Sequence, residues 1–455
     1  MSAKQEKIMV IGAGLVGSLL SIYLARRGYH VEVYDKNQDI LESDCTTGKS
    51  SINLTLCDRG FRVLDDVGVG DLIRRVTIPV YGRLIHDTNG NVTFQRYGNS
   101  DQALYSIFRH DLNKILLQFT KQNYDVDFHF NERCMGIDLS TNTATFKNQK
   151  SGDVSYREAS RIFGADGAFS AVRLQLQKTD RFDFSQQYME YGYREITIPA
   201  GNDGWIAEKN AIHFWPRGDY MLMGFANANN SFTLSLHMPI EGQISFESIR
   251  TREDLLSFFE RSFPDAVLQI SAFTDDYFAH STNSMITIRC CPWNFQDKVA
   301  LIGDAAHAMV PYYGQGANAG FEDCAVLDAC MEMYGENWSM VFSAYERLRR
   351  PNTDAIADLG LHNFIELREL VGNPKFLLRK EIERKIHRRY PDRYATLYSM
   401  IAFSSIPYVE AIRIYQDQHV FLDQIMDIEG IESLNDVEID MIIDEVMQDE
   451  LAYSG

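Results

Sequence analysis

Apolar and polar positions recur in two rhythms along this chain, and the switches between them mark out its parts. Ile8–Ile11 is a short apolar run that predicts a buried strand. The apolar-rich stretch through about Arg27 predicts a helix, and His30–Tyr34 predicts a second strand. The same rhythm returns at Val299–Ile302, with a helix expected from about Ala317. Between these ends the period shortens to two. Tyr81–His86 alternates, turns at Asn89-Gly90 and comes back from Val92 to Tyr97, a hairpin pattern. Ala211–Phe225 and Phe232–Met238 also alternate, joined by a turn at Ala226–Asn230, and a helical patch follows from Phe246 to Phe263. Beyond Asp323 the chain reads as mainly helical. Ile439, Ile442, Ile443 and Val446 form one stripe, expected to dock on the chain's own core. These patterns predict an α/β protein. A discontinuous nucleotide-binding part takes residues 1–76, 100–180 and 275–360. An inserted substrate part on an antiparallel sheet takes 77–99 and 181–274. A helical C-terminal region with an acidic tail takes 361–455.

Chemistry enters at the strand ends. Gly12, Gly14 and Gly17 form a G-x-G-x-x-G between the first strand and helix, and Asp35 ends the second strand 18 residues after Gly17. Gly12 permits the tight turn, Gly14 lets backbone approach a pyrophosphate, and Gly17 lets helix pack on sheet. Asp35 can accept hydrogen bonds from a ribose diol, so this is a Rossmann-type dinucleotide site. A second motif, Gly164-Ala-Asp166-Gly167 with Ser170 and Arg173, either faces a phosphate or is held by Asp166 acting as a helix cap. The third runs from Leu301 to Asp323. A strand ends in Gly303-Asp304, and the loop Pro311–Gly316 aims backbone N–H groups from Gly314, Gln315 and Gly316 over a helix start. Thr46–Leu56 reads as a polar loop entering a helix, and Arg109 opens the helix His110–Lys121. Arg83 on the hairpin is either a solvated edge residue or shares a face with Tyr97.

With 455 residues there is room for roughly three domain-sized units. The net charge of −19 excludes nucleic acid as a partner. Eleven acidic and no basic residues fall after Phe421, so the rest of the chain carries only −8. Seven cysteines without a C-x-x-C pair read as reduced thiols, with neither a disulfide framework nor a metal site expected. No leader and no membrane span are apparent, which predicts a soluble, cytoplasmic protein, monomeric or homodimeric.

Taken in order, the three glycine motifs resemble those of the single-component flavoprotein hydroxylases, which bind FAD in one Rossmann-type domain and have no separate NADPH domain. SINL at Ser51, GRLIHD at Gly82, FDFSQQY at Phe182, HFWPRGDYM at His213, the run from Gly303 to Cys324 and LYSM at Leu397 resemble one branch of that family up to about Gln418. The resemblance implies FAD contacts at Val16, Asp35, Thr55, Arg109, Cys134, Asp304, Ala317 and Asn318. It implies substrate contacts at Arg83, Tyr97, Asn363 and Tyr398. The implied reaction consumes NADPH and O2 and hydroxylates L-kynurenine, in the tryptophan-degrading kynurenine pathway, through a flavin hydroperoxide, with no side chain as covalent catalyst. Three positions depart from the branch: Tyr312 stands where it has Phe, Ala317 where it has Met, and His237 where it has an aromatic or apolar residue. The acidic tail lies outside the matched stretches, in place of the membrane-anchoring C-terminus of eukaryotic members. Two other readings are a hydroxylase of the same class for another aromatic acid, and a flavin-free binding module of the same fold.

Overall fold

The computed structural model describes residues 6–42, 53–201, 204–266, 274–370 and 373–453. Strand Lys7–Ile11 lies inside a six-stranded sheet ordered Asn294–Phe295, Val299–Leu301, Arg161–Gly164, Lys7–Ile11, His30–Tyr34 and Val126–His129. All neighbours run parallel except the first pair. A parallel sheet covered on both faces requires apolar residues at successive positions, and Ile8, Met9, Val10 and Ile11 are all buried. Helix Leu15–Arg26 and the long helix Gly316–Tyr334 pack on it, and their apolar sides join one large core.

The second sheet has seven strands, ordered Asn283–Cys291, Asp183–Ile198, Phe232–Pro239, Met221–Ala226, Ala211–Pro216, Gly82–His86 and Val92–Arg96. Every pair is antiparallel except Ala211–Pro216 with Gly82–His86. Strand Asn283–Cys291 of this sheet comes from the stretch expected in the nucleotide-binding part. The alternating run Ala211–Phe225 is two strands, broken at Gly218, whose φ of +74° turns the chain. Of the polar stretch Thr46–Leu56, residues 46–52 lie outside the described residues, as does Ser51 of the SINL match. Asn53–Leu56 is not loop but strand, paired with Leu104–Phe108. Four residues are too few for a period to show, and the partner that stabilises them is fifty positions away.

Helix Trp338–Ile365 continues into a π-helical turn, Glu366–Leu370, and further helices follow at Pro374–Arg389, Leu397–Ala402, Tyr408–Met426 and Asp436–Tyr453. The last helix docks as its stripe predicts: Ile439 and Ile443 are buried against Ile382, Ile386, Leu422 and Ile425. Its acidic side meets a basic one. Lys385 pairs with Asp436 at 3.0 Å and Asp440 at 3.1 Å, and Arg389 with Asp440 at 3.3 Å and with Asp444. No helix among the described residues is long and apolar enough to cross a membrane.

Candidate active site

The glycine loop after the first strand is shaped by close approaches. Gly12 has a φ of +109°, and a Cβ there would fall 2.4 Å from the Ala165 carbonyl oxygen; one on Gly17 would fall 1.8 Å from that of Gly12. Gly14 has open space instead. It is the N-cap of helix Leu15–Arg26, and no side chain caps that helix. Asp35 braces the loop: its Oδ2 accepts from the Ala13 N–H at 2.7 Å and its Oδ1 from Asn37 N–H at 2.7 Å.

A second helix N-terminus is built the same way. Gly314 sits in the left-handed region at φ +67°, where a Cβ would fall 2.6 Å from Thr55 Oγ1. Helix Gly316–Tyr334 then starts without a side-chain cap. The side chain of Asn318 is engaged within the protein, donating to the carbonyls of Thr55 and Gly314 at 2.9 Å each and accepting from Cys57 N–H at 3.1 Å. That of Gln315 accepts from the Tyr408 hydroxyl at 2.9 Å. Both side chains are thus spent on holding the helix start in place. Asp304 begins a short helix after Gly303, and its carboxylate makes no hydrogen bond to another described residue. The turn beneath it is fixed by buried Asp323, which accepts from Gly303 N–H at 3.2 Å, His307 Nε2 at 2.5 Å and Arg349 Nε at 2.6 Å. Burial works to raise the Asp323 carboxyl, but His307 and Arg349 outweigh it and hold its pKa below the usual carboxylate range.

One cavity of about 1040 Å³ joins these features. Gly14, Val16, Thr55, Arg109, Asp304, Gly314, Gly316 and Ala317 line it, and so do Arg83, Tyr97, Asn363 and Tyr398. The residues expected at cofactor and substrate thus share one space. Gly12, Gly17, Asp35, Cys134, Gln315 and Asn318 do not line it. Cys134 packs against the large core, its thiol pushed up to about 12 by burial. The Gly164 motif resolves to a cap: Asp166 accepts from Ser170 Oγ at 2.5 Å and Ala171 N–H at 2.7 Å. Arg173 donates to the carbonyls of Ala305 at 2.6 Å and Ala168 at 2.5 Å, and Ala165, Gly167 and Ala168 of this motif line the cavity.

At the other set, Arg83 Nε donates to Gln95 Oε1 at 2.9 Å, which leaves the Nη groups of the fork without a described partner. Tyr97 stacks on Tyr398 at 5.0 Å, and Tyr398 on Tyr313 at 5.6 Å. Asn363 Nδ2 donates to the Tyr312 carbonyl at 2.6 Å, tying the end of the long helix to the flanking loop. The walls between are apolar: Ile212, Phe214, Met223, Phe225, Met285 and Leu367. Gln95 escaped the sequence reading: a two-residue turn at Asn89-Gly90 would set Arg96 opposite Arg83, whereas the turn closed by Asp87 and Asn91 sets Gln95 there.

His237 and Tyr312 break the apolar wall together. Their Nδ1 and hydroxyl lie 3.2 Å apart, and Ser235 Oγ holds the other ring nitrogen at 2.9 Å. Burial pushes the His237 pKa down to about 3, and that of His213, behind the same sheet, down to about 4. Both therefore fold neutral, and the unfolded chain binds more protons below pH 6.5. Their contribution is complete above that pH and is lost as pH falls toward the folded values. At pH 5 each should cost about 2 kcal/mol of stability. Denaturant titrations at pH 7.5 and 5 should show His237→Leu losing less stability than wild type by about that amount. Equal losses in the two proteins would refute the assignment.

Two uncapped helix N-termini and a free carboxylate on one cavity fit FAD, whose phosphates and diol groups need N–H donors and an acceptor. An FAD binding domain family model matches residues 5–359. A kynurenine 3-monooxygenase from Flavobacterium johnsoniae is 41% identical over 444 residues, covering 97% of this chain and 99% of the relative. One from Dictyostelium discoideum is 38% identical over 452 residues, covering 96% of each. The first alignment runs into the acidic tail, so the tail is not outside the resemblance as the motifs alone implied. Among solved structures, the tetrameric form of 2-methyl-3-hydroxypyridine-5-carboxylic acid oxygenase superposes with a TM-score of 0.66 at 22% identity, covering 81% of this chain and 94% of that one. That likeness speaks for the fold alone.

Proposed function

This chain belongs to the kynurenine 3-monooxygenase family of FAD-dependent monooxygenases, and from that premise we propose that it converts L-kynurenine to 3-hydroxykynurenine with NADPH and O2. The observation that carries the reading is the single cavity lined by both the glycine-loop features and the Arg83 cluster. Main-chain N–H groups at Gly14–Val16 would hold the diphosphate and Asp304 the linker, while Asp35, outside the cavity, braces the glycine loop. The main chain at Gly314, Gly316 and Ala317, with Thr55 and Arg109, would hold the flavin ring. When bound, FAD would supply the redox chemistry, with NADPH as the two-electron reductant, one atom of O2 going to the ring carbon beside the amine and the other to water.

The chain's own part is to bind, orient and exclude water. The free Nη groups of Arg83 can take the substrate carboxylate bidentately, with Tyr97 and Tyr398 completing the site and Asn363 holding the loop beside it. The apolar walls fix the plane of the ring and keep water from the reacting carbon. A flavin-free binding module has no use for two uncapped helix starts and an unpaired Asp304. A hydroxylase for another aromatic acid is favoured by one observation, the polar His237–Tyr312 pair in the ring wall. NADPH oxidation followed with and without L-kynurenine tests the proposal. The expected result is a large stimulation with 3-hydroxykynurenine formed; stimulation by a different aromatic acid, and none by kynurenine, would refute it.

A further inference from the structure

The two departures His237 and Tyr312 are far apart in sequence yet form one hydrogen-bonded chain, Ser235 Oγ, His237 and Tyr312 hydroxyl, at 2.9 and 3.2 Å. All three residues line the cavity. Tyr193 stacks on the imidazole with ring centroids 5.6 Å apart, which fixes its plane. The Tyr312 hydroxyl also lies 2.9 Å from Met285 Sδ, a weak acceptor that a better partner displaces readily.

Proton counting gives this chain two arrangements. If His237 carries its proton on Nε2 and donates to Ser235, Tyr312 must donate to Nδ1. Its oxygen then gains electron density and becomes a stronger acceptor. With the proton on Nδ1, His237 donates to Tyr312 instead, and the phenol turns its own O–H outward to Met285 or a ligand. Burial keeps the imidazole neutral, so one proton is always available to choose between the two.

We propose that Tyr312, polarised by His237, accepts a hydrogen bond from the ring amine of the substrate and is a specificity-determining residue of this chain. The inference rests on the function proposed above. Tyr312 belongs to the loop that leads into the Gly314–Gly316 helix start, and its hydroxyl reaches from that loop to His237 and Met285 on the seven-stranded sheet, in the wall of the cavity. The reacting ring carbon must face the same loop, and its neighbour carries the amine. As oxygen adds, the amine lone pair moves into the ring and its N–H becomes a stronger donor. A hydrogen bond accepted there tightens toward the transition state and raises turnover as well as affinity. An unsubstituted ring leaves the pair without a partner and is discriminated against.

The test compares L-kynurenine with 3-benzoylalanine, which has the same skeleton without the ring amine, on FAD-loaded protein by calorimetry. Wild type should bind kynurenine roughly five- to tenfold more tightly, as one neutral hydrogen bond allows. In Tyr312→Phe the ratio should fall close to one, with kcat for kynurenine reduced more than KM is raised. His237→Leu, with Tyr312 in place, should lower the ratio in part, and the double variant should match Tyr312→Phe. A merely structural role would weaken both ligands equally and leave the ratio intact, which would overturn the inference. So would a wild type that binds the two ligands equally. A wild type that binds kynurenine with the expected ratio but forms no hydroxylated product would instead overturn the proposed function and leave this recognition standing.

Discussion

Arg83→Met should raise the KM for L-kynurenine by roughly one to two powers of ten while FAD content stays unchanged. Arg83 projects from strand Gly82–His86 into the cavity, its Nε held by Gln95 at 2.9 Å and its two Nη groups left open. A carboxylate held bidentately by such a fork is stabilised by about 1.5–3 kcal/mol, and methionine keeps the bulk while removing the charge. Lysine should restore only part of the affinity, because a point charge cannot reproduce a planar fork. Decarboxylated kynurenine should bind wild type poorly and lose little more in Arg83→Met, which closes a double-mutant cycle with one change on the ligand. If that amine loses affinity equally in both proteins, Arg83 does not hold the carboxylate.

Asp304→Ala should weaken FAD binding by about 1–3 kcal/mol, the cost of removing an acceptor from a half-buried site on the cavity. The carboxylate stands at a turn that Asp323, His307 and Arg349 hold in place, so the backbone should survive the change. Dialysed variant protein should show a flavin absorbance well below one equivalent, with an unchanged circular dichroism spectrum. Asp304→Asn, which keeps one acceptor oxygen, should fall between. Full occupancy after dialysis would show that Asp304 does not hold the cofactor.

What could be read from the chain was what local spacing encodes. The Gly12 turn, the strand ending at Asp35, the Asn89-Gly90 hairpin and the docking stripe at Ile439 each depend on residues within one or two elements. The strand Asn53–Leu56 was hidden because its partner, Leu104–Phe108, is remote. In the Gly164 motif Asp, Ser and Arg serve either a phosphate or a cap; Asp166 does cap the helix and Arg173 engages the carbonyls of Ala168 and Ala305, contacts that spacing alone does not encode. Asn318 was marked as a cofactor contact and Gln315 for its backbone N–H; what the chain did not reveal is that their side chains fasten helix to strand and helix to helix. His237 and Tyr312 were visible as separate oddities. Their meaning as one pair depends on the fold that brings together positions 75 apart in the chain.

Oxygen labelling tests the central claim most directly. Purified protein supplied with FAD, NADPH, L-kynurenine and ¹⁸O₂ should form 3-hydroxykynurenine carrying one labelled oxygen on the ring, with one NADPH consumed per product formed. A product without label, or NADPH consumed at the same rate with no hydroxylated ring, would contradict the account.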